Sequence, residues 1–144
     1  MNMKCRNREE TVSEFHKKFN HPIDAQWTTS LLELRMNLIK EEAREICDEF
    51  VDMLVDLERG KAISIEQKQR LLKELCDLQY VLSGAAVSLG LQIEPAFNRV
   101  HASNLSKLGD DGKPVYREDG KVIKGPNYKA PKLKDLVLWD LKYI

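Results

Sequence analysis

The residues of this sequence best suited to chemistry are acids set at helical spacing. Glu41, Glu42 and Glu45 form one group, and Glu74 with Asp77 forms another. Residues three or four apart share one face of a helix, so each group stacks like charges that repel and weaken an isolated helix. A divalent cation reverses the sign of that cost. At 100° per residue, the first three acids span a sector of about 100° beside the apolar stripe of their helix, and the second pair sits similarly on the next. Magnesium takes hard oxygen ligands and shares them with water and substrate phosphates. Carboxylates without histidine or thiolate fit magnesium or manganese and fit zinc poorly. Spacing alone leaves two readings open: a solvated acidic face, and a cation cage for a polyphosphate built by two helices. The matching second group weighs toward the cage.

Other candidates depend on that choice. Asn104 and Lys107, three apart near the end of a helix, could donate to phosphate oxygens, and Lys121 and Lys124 alternate with apolar residues. By composition alone each lysine is an ordinary solvated one. Trp27 follows Gln26 in a linker, where the ring could stack a nucleobase and the amide read its edge, or the ring could simply cover the core. Tyr80, one turn after Asp77, is a further pocket candidate. Arg35 precedes the acids by one or two turns and could pair with one of them or contact substrate. His16 and His101 read as surface or helix-end residues. No histidine follows an acid by three residues on these helices, which counts against a di-iron carboxylate bundle. No serine or cysteine nucleophile arrangement competes.

The elements that must position these residues are helical. Thr11-Val12-Ser13-Glu14, Ser30-Leu31-Leu32-Glu33 and Ser64-Ile65-Glu66-Gln67 each have the capping-box form. They predict helices over about Thr11 to Phe19, Ser30 to Glu58 and Ser64 to Leu89, with stops at His21-Pro22, Gly60 and Gly90. A fourth helix is expected from Pro95 to Leu105. The second helix carries an apolar stripe of Leu32, Met36, Ile39, Ala43, Ile46, Phe50, Leu54 and Leu57. The third carries Leu71, Leu75, Leu78, Leu82 and Ala85. Joined by a short connection, the two should form an antiparallel hairpin. From Gly109 onward the periodicity is lost, and Pro114 to Arg117 and Lys121 to Ile123 flank Asp119-Gly120, the sequence of a small β-hairpin. Leu133 to Ile144 is apolar enough to dock, on a second subunit for instance.

Composition bounds the rest. A chain of 144 residues reads as one domain, 1–144, with 109–144 as a C-terminal hairpin arm and tail. Lys+Arg and Asp+Glu are equal at 23 each, which argues against a general nucleic-acid or anionic-membrane surface. No apolar run approaches the roughly 20 residues of a membrane span, and the polar N-terminus lacks a signal-peptide core. Cys5, Cys47 and Cys76 form no metal-type pair and fit a reduced, cytoplasmic protein, the last two as core residues.

Glu41-Glu42-x-x-Glu45, 28 intervening residues, then Glu74-x-x-Asp77 resembles the motif of the all-α nucleoside triphosphate pyrophosphohydrolases, the superfamily of MazG, dimeric dUTPase and phosphoribosyl-ATP pyrophosphohydrolase. Val100 to Leu108 and Arg117 to Pro126 resemble its single-domain MazG-like branch, so the likeness covers roughly residues 11 to 133. It implies an all-α antiparallel bundle of about four helices. It also implies magnesium-dependent (manganese possible in its place) cleavage of a nucleoside triphosphate to monophosphate and pyrophosphate, in control or cleansing of a nucleotide pool. Carried over residue by residue, it makes Glu42, Glu45, Glu74 and Asp77 the metal ligands. Glu41 becomes a further ligand or the base that activates water. Asn104, Lys107 and, more weakly, Lys124 become phosphate contacts, with Trp27 at the base. A homodimer, or a dimer of dimers, is expected. Phosphoribosyl-ATP or a guanosine polyphosphate are alternative substrates, and a non-catalytic helical interaction module is the reading outside enzymes.

Overall fold

The computed structural model describes residues 7–138; Cys5 and the end of the expected docking tail lie outside them. The described residues form four α-helices and one short 3-10 turn, with no strand: α1 (Arg8–Phe19), α2 (Thr29–Glu58), α3 (Ile65–Leu89), α4 (Ile93–Leu105), then the 3-10 turn Lys134–Leu136. The all-α expectation holds. The chain divides into two compact units that meet in sequence at Gly90 and Leu91.

In the first unit, α2 and α3 pack as the expected antiparallel hairpin, and α1 packs on α3. Side-chain pairs give the register. Gln67 Nε2 donates to Asp52 Oδ2 at 3.2 Å, and Arg70 Nε donates to Glu49 Oε1 at 2.9 Å. Each step of three on one helix is matched by three on the other. The ends are set locally. Ser64 and Gln67 close a full capping box at the start of α3, and Gly90, at φ 66°, ends it with its N–H on the Ala86 carbonyl.

The other starts differ from expectation. Asn7, not Thr11, caps α1 by accepting from the Glu10 amide, and Thr28, not Ser30, caps α2 by accepting from the Leu31 amide. Both are good capping residues that the boxes downstream obscured. Helix α4 begins at Ile93, which puts Pro95 in the third helical position, still among the amides that lack an intrahelical acceptor.

The expected core stripe is only partly covered. Leu32, Met36, Phe50, Leu54 and Leu57 of α2 are exposed, as are Leu75 and Leu82 of α3, whereas Leu31, Arg35, Ile46 and Met53 are buried. A hairpin with one short helix against it has two flanks and can cover only one. Cys47 and Cys76, expected in the core, are both exposed. His16 is likewise not a surface residue: it is 3% exposed and its Nδ1 lies 2.8 Å from the Pro22 carbonyl.

The second unit is α4 followed by a folded arm. The Asp119-Gly120 turn forms, with Gly120 at φ 80° and its N–H on the Arg117 carbonyl. The strands do not. The expected β-hairpin amounts to one antiparallel bridge, Tyr116 to Val122. Both flanks of the turn are exposed, and a two-stranded ribbon with neither face packed is marginal in water. The arm is fastened instead at Gly125, whose N–H donates to the Lys107 carbonyl at 3.0 Å, and by Arg99, which forks onto Asp135. A Cβ at Gly125 would stand 2.7 Å from the carbonyl oxygens of both Lys107 and Leu108. Gly125→Ala should therefore destabilise the protein by about 1–3 kcal/mol, read as a fall in denaturation midpoint. A midpoint equal to that of the native chain would contradict the close approach.

Candidate metal centre

Glu42 and Glu45 lie on the face of α2 that meets α3, and the register of the hairpin places Glu74 opposite Glu45. One carboxylate oxygen from each of Glu42, Glu45 and Glu74 lies within 4.8 Å of the others. Glu74 is 8% exposed; its Oε1 accepts from Lys73 Nζ at 2.9 Å, while its Oε2 is buried with no hydrogen-bond partner. A buried carboxylate oxygen without a donor is costly, and a cation is the natural remedy.

The electrostatics agree with that demand for positive charge. Desolvation, then the charges of Glu45, Asp77, Glu74 and Glu41, raises the pKa of Glu42. The Glu74 carboxyl close beside it, followed by desolvation, raises that of Glu45. Each group holds its proton more firmly than a free glutamate because burial and acidic neighbours both disfavour the charged form.

Lys73 partly answers the cluster. Its ammonium bridges Glu74 Oε1 at 2.9 Å and Asp77 Oδ2 at 2.7 Å, and those two bonds raise its own pKa strongly. Asp77 is thus held by Lys73 and stands outside the three-carboxylate cluster, though near enough for its charge to be felt at Glu42. Sequence reasoning missed Lys73; the signal was its place four residues before Asp77, the spacing of a helical ion pair. Glu41 is exposed at the rim, and its charge reaches both Glu42 and Glu45.

The remaining residues fall as follows. Trp27 is half exposed, and its Nε1 donates to the Leu89 carbonyl at 3.0 Å, which fixes the ring beside the end of α3. Tyr80 packs edge-on against Phe15 and lines a cavity of about 450 Å³ with Arg8, Thr11, Leu75, Gln79 and Ser83. Ser83 and Glu74 are nine residues apart, half a helical revolution, so this cavity and the acids occupy opposite faces of α3. Arg35 makes no ion pair with the acids; it is buried beside α3. In the second unit, Lys107 Nζ donates to Asn104 Oδ1 at 2.7 Å, so these two candidates do share one place. Lys124 instead sits 4.3 Å over the ring of Tyr128.

The sequence model of the phosphoribosyl-ATP pyrophosphohydrolase family matches residues 12–104, from α1 to the end of α4, and so includes every acid of the cluster. The chain belongs to that family. The span matched to the phosphoribosyl-ATP pyrophosphohydrolase family contains both acidic helices, α2 and α3. No curated protein matches this chain. Among solved structures, a provisionally named NTP pyrophosphohydrolase from Exiguobacterium sp. 255-15 is similar at 24% identity and a TM-score of 0.48, over 96% of this chain and 98% of that one. Among the described residues, no helix is long and apolar enough to cross a membrane.

Proposed function

We propose that this member of the family is a magnesium-dependent nucleoside triphosphate pyrophosphohydrolase, acting on a nucleotide, a deoxynucleotide by preference, to give the monophosphate and pyrophosphate. The observation that carries the reading is the meeting of Glu42, Glu45 and Glu74 within 4.8 Å, with Glu74 Oε2 unpartnered. All the donors are hard oxygens, which suits magnesium or manganese. Glu42, Glu45 and Glu74 would hold the ion, with Asp77 joining once Lys73 is displaced. A bound divalent cation supplies charge neutralisation and Lewis acidity at the phosphoanhydride.

The chain's own residues do the rest. Glu41, exposed at the rim beside the cluster, is the group placed to accept the proton of the attacking water. Asn104 and Lys107 form a paired donor set for phosphate oxygens, with Lys124 as a weaker one. Trp27, anchored through its indole N–H, offers a ring face to a base. Phosphoryl chemistry of this type leaves little covalent work to a protein, so position and charge dominate. The whole chain is taken as one such domain. The exposed Phe50, Leu54 and Leu57 of α2 and Leu72 of α3 support pairing with a second copy, as a homodimer or a dimer of dimers.

A panel of triphosphates, with phosphoribosyl-ATP and guanosine polyphosphates included, incubated with the chain and magnesium and read by pyrophosphate release, tests this. Glu42→Gln and Asp77→Asn should each abolish most of the turnover. Absence of turnover on every compound would favour a helical interaction module instead.

A further inference from the structure

Arg35 lies on the same face of α2 as Glu42, seven residues earlier and so about 10.5 Å away along the axis. Across the groove, Gly84 lies seven residues beyond Asp77. The register that joins Glu45 to Glu74 thus continues to Arg35 and Gly84, two helical turns from the acids. There the Arg35 side chain is 5% exposed, and its Nε and Nη2 are buried without a hydrogen-bond partner. These two N–H groups form one edge of the planar guanidinium, the fork that takes two adjacent acceptors at once.

The third nitrogen, Nη1, lies in the same neighbourhood as His16. A Cβ at Gly84 would lie 3.5 Å from Arg35 Nη1 and 3.4 Å from His16 Nε2, so both atoms border the same point. His16 Nδ1 donates to the Pro22 carbonyl, which leaves Nε2 as an acceptor, and burial lowers the pKa of this ring and so favours that neutral form. The side of the guanidinium that carries Nη1 therefore has a neutral ring in its neighbourhood. The fork has no acceptor, and a buried cation with empty donors is expensive to keep.

The geometry points to Arg35 as a specificity residue that reads a pair of adjacent acceptors on the edge of the substrate's base. This rests on the triphosphate reading of the acidic groove: a nucleotide lying along α2 with its phosphates at Glu42 and Glu45 carries its base toward Arg35. Guanine offers O6 with N7, and cytosine offers O2 with N3. Adenine, thymine and uracil alternate donors with acceptors and cannot fill the fork. Because Nε and Nη2 are closed to solvent, the base reaches them as α1, which brings His16 against Gly84, gives way.

The test is kcat/KM for dGTP, dCTP, dATP and dTTP with magnesium, together with Tm, for the native chain, Arg35→Met and Arg35→Gln. The native chain should favour dGTP or dCTP over dATP and dTTP by about tenfold to a hundredfold, the dGTP and dCTP arms telling the two edges apart. Arg35→Met should collapse that ratio while Tm holds or rises, since a buried cation with unfilled donors has been removed; if Met does not fold, the Gln variant decides. A purely structural arginine would lower Tm and leave the ratio alone, and that result overturns the inference. Turnover without base preference in the native chain overturns it too and leaves the pyrophosphohydrolase reading standing. No turnover of any triphosphate overturns both.

Discussion

Glu74→Gln should lower kcat/KM for the preferred triphosphate by about 10²–10³-fold, the several kcal/mol that cation stabilisation of a phosphoryl transition state supplies. Glu74 is singled out because it is the buried member of the cluster and the one with an unpartnered oxygen. The amide keeps the size of the side chain and presents an N–H₂ where a cation needs an oxygen. Without added metal the variant should be as stable as the native chain or more so, since one of three mutually repelling carboxyls is gone. The two readouts therefore move in opposite directions. A loss of activity under about tenfold, or a fall in metal-free stability to match, would assign Glu74 to the fold and not to the cation.

Magnesium should stabilise the protein strongly at pH 8 and weakly at pH 5. The sign follows from Glu42 and Glu45, whose pKa values are raised by desolvation and by their acidic neighbours. A carboxyl with a raised native pKa binds protons better folded than unfolded. The contribution of these two carboxyls to metal-free stability is therefore greatest at low pH and is lost as pH rises from the ordinary glutamate range through the raised native values. A divalent cation replaces those protons and needs the carboxylates ionised, so its contribution appears as theirs is lost. At a hundredfold excess over Kd the gain is about 2.7 kcal/mol, or about 5–10 °C in Tm for a chain of this size. Thermal melts with magnesium and with a chelator at the two pH values measure it. An equal shift at both would mean that the ion binds elsewhere. Glu74→Gln should abolish most of the shift.

Helix spans and the acid pairs were legible in the sequence because both are local properties. A period of 3.6 fixes which residues share a face, and Gly60 and Gly90 stop α2 and α3 where a left-handed residue is needed. What periodicity does not fix is which flank of a helix is covered. Leu32, Met36 and Phe50 read as core, yet the buried row is Leu31, Arg35, Ile46 and Met53. An arginine within that row hid it, since arginine is among the last residues expected inside. The burial of His16 depends on the Pro22 carbonyl folding back across a turn, with Asn20 in the left-handed region at φ 56°, which no helical pattern reports. For the arm, the Asp119-Gly120 turn was legible and the absence of strands was not. Strand formation needs a surface to pack against, and turn chemistry says nothing about one. Of the candidate site, the three clustered acids and the Asn104–Lys107 pair came together as their spacing suggested, whereas Asp77 is taken up by Lys73.

The bonds that hold α1 have a consequence for how the first unit assembles. Ser83 Oγ donates to Glu9 Oε1 at 2.9 Å across 74 residues of sequence, and the linker after α1 is clasped to the end of α3 by Asp24 and Ala25, whose amides donate to Val87 and Ser88. The α2–α3 pair closes through a short turn, so its contacts are reached early at little entropic cost. The first helix can add only to a hairpin already built, and it is the segment whose release breaks the fewest local contacts. The segment placed to arrive last is the one that packs beside Arg35, so its amides should exchange with solvent before those of α2 and α3, and hydrogen exchange measures that order.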